Sequence, residues 1–233
     1  MTKLLLIDLD DTLWATKVNN KIALQQVYTA LNWGQYFLCF EDYYAAYLPI
    51  NHQLWKDYAL GKVDKATLSL ERLRRPFQGR LSLSEGEWRA VDASFLNAVR
   101  QQTGLCPHAL ETLRYLKGRY RICILSNGFA SVQYDKLERS GLMPYVDAVV
   151  LSDEVGVHKP DPEIFRIALE RMGCVAEESL MIGDSYVSDI VGASGSGIRS
   201  IWYSPEGYTL DCDAEVTPPI ATITDLSELI HLL

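Results

Sequence analysis

Five short runs of this chain are apolar almost without interruption: LLLID (4–8), RICILSN (121–127), DAVVLSD (147–153), SLMIGDS (179–185) and RSIWYS (199–204). A strand with one solvated face alternates apolar and polar residues. A strand covered on both faces has no reason to. The runs are therefore expected to be parallel strands with helices on each side. The stretches between them carry helix punctuation. In PHALETLRYLKG, Pro107 is expected to open the first turn. In DPEIFRIALERMG, Asp161 is a good N-cap, Pro162 a good first helical residue and Gly173 a stop. Strand and helix in alternation give an α/β fold, a doubly wound parallel sheet of the Rossmann-like kind.

Residues 15–104 break this rhythm. They contain no convincing buried strand. IALQQVYTALNWG, EDYYAAYLPINHQLWKDYALG and EGEWRAVDASFLNAVRQQTG read as amphipathic helices. This segment holds 13 of the 24 aromatic residues in 90 of 233 positions, so it is expected to have a core of its own. The domain reading is a sheet domain built from 1–14 plus 105–233, interrupted by a helical module over 15–104.

Charge narrows the partners. A net charge of −8 argues against a nucleic-acid polymer, whose phosphates call for basic patches. The five cysteines (Cys39, Cys106, Cys123, Cys174 and Cys212) are odd in number and widely spaced. That pattern suits a reducing compartment better than a disulfide framework or a zinc site. The N-terminal apolar run is too short for a signal peptide, and no stretch approaches the roughly 18 apolar residues of a membrane helix. A soluble cytoplasmic protein is expected, with no membrane partner. The sequence leaves its oligomeric state open.

In open α/β sheets, ligands bind at the carboxyl ends of the strands. Asp8 and Asp10 follow the first run, Ser126-Asn127-Gly128 the second, and Gly183-Asp184-Ser185 with Asp189 the fourth; Lys159 lies in VHKPDPEIF. Each alone has a plain reading as a turn, a cap or a solvated side chain. Together they suit phosphoryl transfer. Asp8 and Asp184 are hard oxygen ligands that, with a backbone carbonyl, suit Mg²⁺. A carboxylate can act as nucleophile through an aspartyl phosphate. A second, two residues on, can move protons. Lys159 and Ser126 can stabilise charge on the phosphoryl oxygens. VGASGSG (191–197), by contrast, follows a helix and precedes a strand, the wrong side of the sheet for a phosphate cradle; it is expected to be a helix end and turn.

Asp8-Leu9-Asp10-Asp11-Thr12 resembles the first signature of the haloacid dehalogenase-like superfamily. Ser126-Asn127-Gly128 resembles its second, Lys159-Pro160 its third, and Gly183-Asp184-Ser185 through Asp189 its fourth. The resemblance implies Asp8 as nucleophile and Asp10 as general acid/base. It implies Mg²⁺ held by Asp8, the Asp10 backbone carbonyl and Asp184. Ser126, Asn127 and Lys159 become phosphate contacts and Asp189 a supporting carboxylate. The helical insertion resembles a C1-type cap. Within the superfamily, NHQLWKDYALGKV, LSNGFASVQYDKLERSGL and SDEVGVHKPDPEIF resemble the YjjG-type pyrimidine 5′-nucleotidases. That implies a phosphatase for nucleoside 5′-monophosphates, with Asn51 and Trp55 as candidates for reading the substrate's base. Ser188 stands where many members carry Asn.

Two other readings compete. One is a phosphatase for a sugar phosphate or phosphoglycolate. The other is a phosphate-binding regulatory protein without turnover, which the complete set of Asp8, Asp10, Lys159 and Asp184 disfavours. A haloacid dehalogenase is disfavoured as well, because it needs neither a metal nor the acid that Asp10 supplies.

Overall fold

The computed structural model describes residues 2–208 and 216–233. Cys212 lies outside the described residues. The chain divides into two compact units, Met1–Thr16 with Thr103–Leu233, and Lys17–Gln102. In chain order the elements are β1 (Leu4–Ile7), α1 (Thr16–Ala30), α2 (Phe40–Ala59), α3 (Lys65–Arg74), α4 (Glu85–Arg100), α5 (Ala109–Leu116), β2 (Arg121–Ser126), α6 (Ala130–Arg139), β3 (Ala148–Leu151), α7 (Ser152–Val155), α8 (Pro162–Met172), β4 (Ser179–Gly183), α9 (Gly192–Gly195), β5 (Arg199–Tyr203), β6 (Ala221–Ile223) and α10 (Leu229–Leu232).

The first unit is one six-stranded sheet in the order β3-β2-β1-β4-β5-β6, with every pairing parallel. β1 lies between β2 and β4, with Ile7 in register with Ile124 and Ile182. All four β1 residues are buried, so both faces are covered, as an uninterrupted apolar run requires. On one face Leu4, Leu6, Cys123, Leu125, Val150 and Met181 pack with Ile164, Phe165, Ala168 and Met172 of α8. α8 has the punctuation read from its sequence. The Asp161 side chain accepts from the Glu163 N–H at 2.9 Å, Pro162 opens the helix, and Gly173 ends it at φ +57°.

Three expectations need correction. α5 opens at Ala109, not at Pro107, because His108 takes a left-handed backbone (φ 59°) and its carbonyl receives the first helical bond, from Thr112. A sixth strand, β6, joins the edge of the sheet; three residues are too short a run to stand out in a sequence. The helical unit holds a further helix, α3, whose ERLR stretch masks its apolar stripe. Its signal was the Asp64 side chain, which accepts from the Thr67 N–H at 2.7 Å. Residues 191–197 form the end of a helix and a turn, as expected.

The helical unit is held by its rings. Phe77 lies edge-on to Trp33 at 4.9 Å and to Phe37 at 5.1 Å, and 5.6 Å from Trp88. Trp33 lies 5.0 Å from Tyr43. Such pairs each add about 0.5–1.5 kcal/mol beyond the area they bury. Arg72 of α3 and Asp92 of α4 form a partly buried ion pair at 2.9 Å. Among the described residues, no helix is long and apolar enough to cross a membrane.

Candidate active site

The strand order reverses direction between β1 and β4, and there the carboxyl ends of adjacent parallel strands leave a crevice. The Asp8 N–H continues the ladder by donating to the Ile182 carbonyl at 2.9 Å, which brings the Asp8 side chain to the end of β1. The chain then turns sharply. The N–H groups of Leu13 and Trp14 both donate to the Leu9 carbonyl, and Asp11 sits at φ 58°, a region Asp tolerates better than most side chains. This turn places Thr12 against β4, where its hydroxyl accepts from the Asp184 N–H at 3.0 Å. The same hydroxyl lies 3.3 Å from Asp8 Oδ2 and 3.4 Å from Asp184 Oδ1, and its single proton serves one of them at a time.

Lys159 is the hub. It is only 2 % exposed, and its ammonium spends all three donors: on Asp8 Oδ1 at 2.5 Å, Asp189 Oδ1 at 2.7 Å and the Leu125 carbonyl at 2.7 Å. Burial alone would lower its pKa, but Asp189 and Asp8 outweigh that and raise it, so the charge stays. Asn127 fixes the Lys159 backbone in both directions. Its amide donates to the Lys159 carbonyl and accepts from the Lys159 N–H, both at 2.8 Å. The Asn127 side chain is thus committed to the loop, and the cis Lys159-Pro160 bond lies within it. Asp189 is fully buried, with Oδ1 on Lys159 and Oδ2 accepting from the Ser185 N–H at 3.0 Å.

Asp8, Asp184 and Asp189 each offer a carboxylate oxygen within 4.8 Å of the others, against one ammonium. Burial pushes the Asp8 carboxyl well above the ordinary carboxylate range, and Asp189, Asp184 and Asp10 push it further against the pull of Lys159. Such a cluster calls for more positive charge than the chain supplies. The donors are all hard oxygens, which fits a divalent cation of the Mg²⁺ type. Each of the three carboxylates could contribute an oxygen to such an ion.

Asp10 lies apart from this cluster in its partners. Its Oδ1 accepts from Lys136 and from Thr16, both at 2.5 Å, and its Oδ2 accepts from Gln133 at 2.6 Å. Burial works against its charge, but Lys136, Thr16 and Gln133 outweigh that and hold the carboxyl below its ordinary range. Ser126, at the end of β2, is buried and its hydroxyl accepts from the same Gln133 amide at 2.6 Å.

The structure therefore brings together Asp8, Asp10, Ser126, Asn127, Lys159, Asp184 and Asp189 at one sheet edge. Asn51 and Trp55 lie on α2 of the helical unit. The Asn51 side-chain oxygen accepts from the Tyr47 hydroxyl at 3.1 Å, and Trp55 meets Tyr58 edge-on at 5.9 Å. Sequence reasoning quoted Thr12 within the first signature without giving it a role, and missed Thr16, Gln133 and Lys136. The burial of the last two shows only in the structure. On α6 the buried positions are Val132, Gln133, Lys136 and Leu137, so two polar side chains occupy core-facing places.

A family model described as haloacid dehalogenase-like hydrolase matches residues 2–197. Pyrimidine 5′-nucleotidase YjjG of Escherichia coli (strain K12) is 34 % identical over 201 residues, 83 % of this chain and 82 % of that one. Pyrimidine 5′-nucleotidase PynA of Streptococcus pneumoniae is 32 % identical over 226 residues, 96 % of this chain and 93 % of that one. The crystal structure of the putative hydrolase YfnB of Bacillus subtilis, bound to magnesium, superposes with a TM-score of 0.86 at 26 % identity, covering 100 % of this chain and 98 % of that one.

Proposed function

The chain belongs to the haloacid dehalogenase-like hydrolases, and from that premise we propose that it hydrolyses nucleoside 5′-monophosphates, pyrimidines above purines, through a phosphoaspartyl intermediate. The observation that carries the phosphatase reading is two carboxylates in one turn, each paired with a lysine of its own, Lys159 for Asp8 and Lys136 for Asp10. Asp8 is a buried group tied to Lys159, and Asp10 is a partly exposed one aimed from the same turn.

In the first half-reaction an Asp8 carboxylate oxygen attacks phosphorus and the bond to the ester oxygen breaks. That oxygen takes from Asp10 a proton that Asp10 must first draw from water, since Lys136, Thr16 and Gln133 hold it ionised in the resting site, and leaves as the alcohol. Oδ2 of Asp8 is the less engaged oxygen, since Lys159 holds Oδ1. In the second half-reaction water attacks phosphorus, Asp10 takes its proton, and the bond to Asp8 breaks to release phosphate and the free carboxylate. Ser126 would donate to phosphoryl oxygens, and Lys159, whose three donors are spent in the resting site, would do so by giving up one of its present partners. Asp8, Asp184 and the Asp10 backbone carbonyl would hold Mg²⁺, whose charge offsets the carboxylates and draws the phosphate dianion in. The relatives' names and the chemistry of Asn51 and Trp55 support the nucleotide. An amide offers both donors and an acceptor to a base edge, and an indole a stacking face.

Purified protein is to be screened against nucleoside monophosphates and sugar phosphates with Mg²⁺. Pyrimidine nucleotides should lead by about tenfold or more in kcat/KM, equivalent to ~1.4 kcal/mol. EDTA should stop turnover. Asp8→Asn should reduce kcat by at least about a hundredfold, and Asn51→Ala or Trp55→Ala should erode the ranking. Sugar phosphates at the head of the ranking would replace this substrate with the sugar-phosphate reading. Turnover surviving in Asp8→Asn would remove the covalent route.

A further inference from the structure

Two buried polar side chains belong to none of the motifs. Gln133 and Lys136 of α6 are three residues apart, hence on one face, and are 1 % and 5 % exposed. A buried ammonium persists only where something compensates its lost hydration. Here that is Asp10, whose Oδ1 lies 2.5 Å from Lys136 Nζ, and the Trp14 ring, whose centroid lies 4.3 Å from it. Gln133 uses its one amide nitrogen twice, donating to Asp10 Oδ2 and to Ser126 Oγ, each at 2.6 Å. The loop before α6 is cut to admit it: a Cβ at Gly128 would stand 2.3 Å from that nitrogen. A single amide thus links the end of β2 to the turn after β1.

Stability alone is a weak reason for this arrangement. Buried ion pairs can often be exchanged for apolar side chains at little or no loss. Asp10 is also no sealed core group, since its side chain remains 30 % exposed. We propose that Gln133 and Lys136 are positioning residues for the leaving-group side of the reaction. They hold the Asp10 carboxylate at a fixed offset from Ser126, so that once it has taken up its proton the donor is in place whenever the phosphoryl oxygens are engaged. This rests on Asp10 being that donor. It concerns two residues that act through Asp10 and do not themselves touch substrate.

The consequence depends on the leaving group. p-Nitrophenolate departs as an anion with little need of a proton, whereas the alkoxide of a nucleoside or sugar must receive one. Losing the position of Asp10 therefore falls mainly on alkyl phosphates. The test compares kcat/KM, which reports steps up to leaving-group release, for p-nitrophenyl phosphate and for an alkyl phosphate that the wild type turns over; on the reading above this is a nucleoside 5′-monophosphate. Lys136→Met and Gln133→Leu should each lose at least about tenfold more on the alkyl than on the aryl ester, within the range that general acid catalysis supplies. Asp10→Asn should show the same bias, larger. Adding Lys136→Met to Asp10→Asn should change the ratio less than about twofold, because residues acting through one group are not additive. Lys136→Arg should restore part of the alkyl activity. Equal losses on both esters, in variants whose thermal midpoints stay near wild type and with Asp10→Asn still biased, overturn the positioning role alone. An unbiased Asp10→Asn overturns the assignment of Asp10 with it. Should Lys136→Met not fold, Gln133→Leu carries the same decision, since it removes no charge.

Discussion

Asp189 shows how closely single residues are fitted at this site. Its carboxylate lies against the backbone of Gly183, where an added Cβ would stand 2.2 Å from Oδ2 and 2.4 Å from the carboxyl carbon. Asp189 cannot give way, because Lys159 holds one oxygen and the Ser185 N–H the other. Gly183→Ala should therefore cost about 1–3 kcal/mol of stability by overpacking. It should also lower turnover by displacing the hub lysine's partner. Thermal unfolding and kcat on p-nitrophenyl phosphate check both; a midpoint within a degree of wild type would show that the site has slack. Asp8 was legible because it ends an apolar run, and Lys159 only together with the other strand-end residues, since a lysine beside a proline reads alone as a solvated side chain. Thr16 was not legible, and Thr12, though quoted in the first signature, had no role assigned to it. A threonine gives no sign in sequence of whether its hydroxyl meets solvent, its own backbone or a carboxylate 172 residues away, as Thr12 does with Asp184.

Among the elements, the parallel strands were readable for one physical reason: each is buried on both faces and so is apolar throughout. β6 lacks that mark, with one exposed and one partly exposed residue in three. α6 hid its part in the site because amphipathic reading assigns Gln and Lys to the solvent side. α2 makes a prediction of its own. Burial pushes the Tyr47 phenol up to about 12, with Arg72 opposing, and Tyr43 on the same helix is pushed up too. Unfolded, a tyrosine titrates near 10. The phenol's contribution is thus fully present below pH 10. It is lost as pH rises toward 12, because in that window only the unfolded chain releases the proton. In urea unfolding between pH 8 and 11.5, wild type should lose on the order of 2 kcal/mol more than Tyr47→Phe. Parallel curves for the two proteins would show that the phenol is not held protonated.

For the molecule as a whole, topology decides where chemistry can occur. The order β3-β2-β1-β4-β5-β6 puts the reversal beside the central strand, so loops from residues 8, 126, 159 and 184 meet although the sequence separates them widely. Read as a string, the chain already gave the α/β class and the edge where these loops lie. It did not give the network among them, since Lys159 meeting Asp8, Asp189 and Leu125 at once depends on distances that no spacing encodes. That network also sets the protein's reactivity toward reagents in solution. An acylating reagent needs an amine that is accessible and at times uncharged. Lys3, Lys21, Lys62, Lys136 and Lys159 are all ion-paired, so burial makes the difference: the first three have side chains at least 43 % exposed, whereas Lys136 and Lys159 are 6 % and 2 % exposed. A brief native treatment read by peptide mass spectrometry should modify the first three and spare the other two. Acylation of Lys159 should then proceed no faster than the sheet opens, which makes that one amine a clock for the unfolding of the core. Slow labelling at Lys159 that quickens in step with added denaturant would read that clock; labelling as fast as at Lys3 would mean the crevice between β1 and β4 breathes freely.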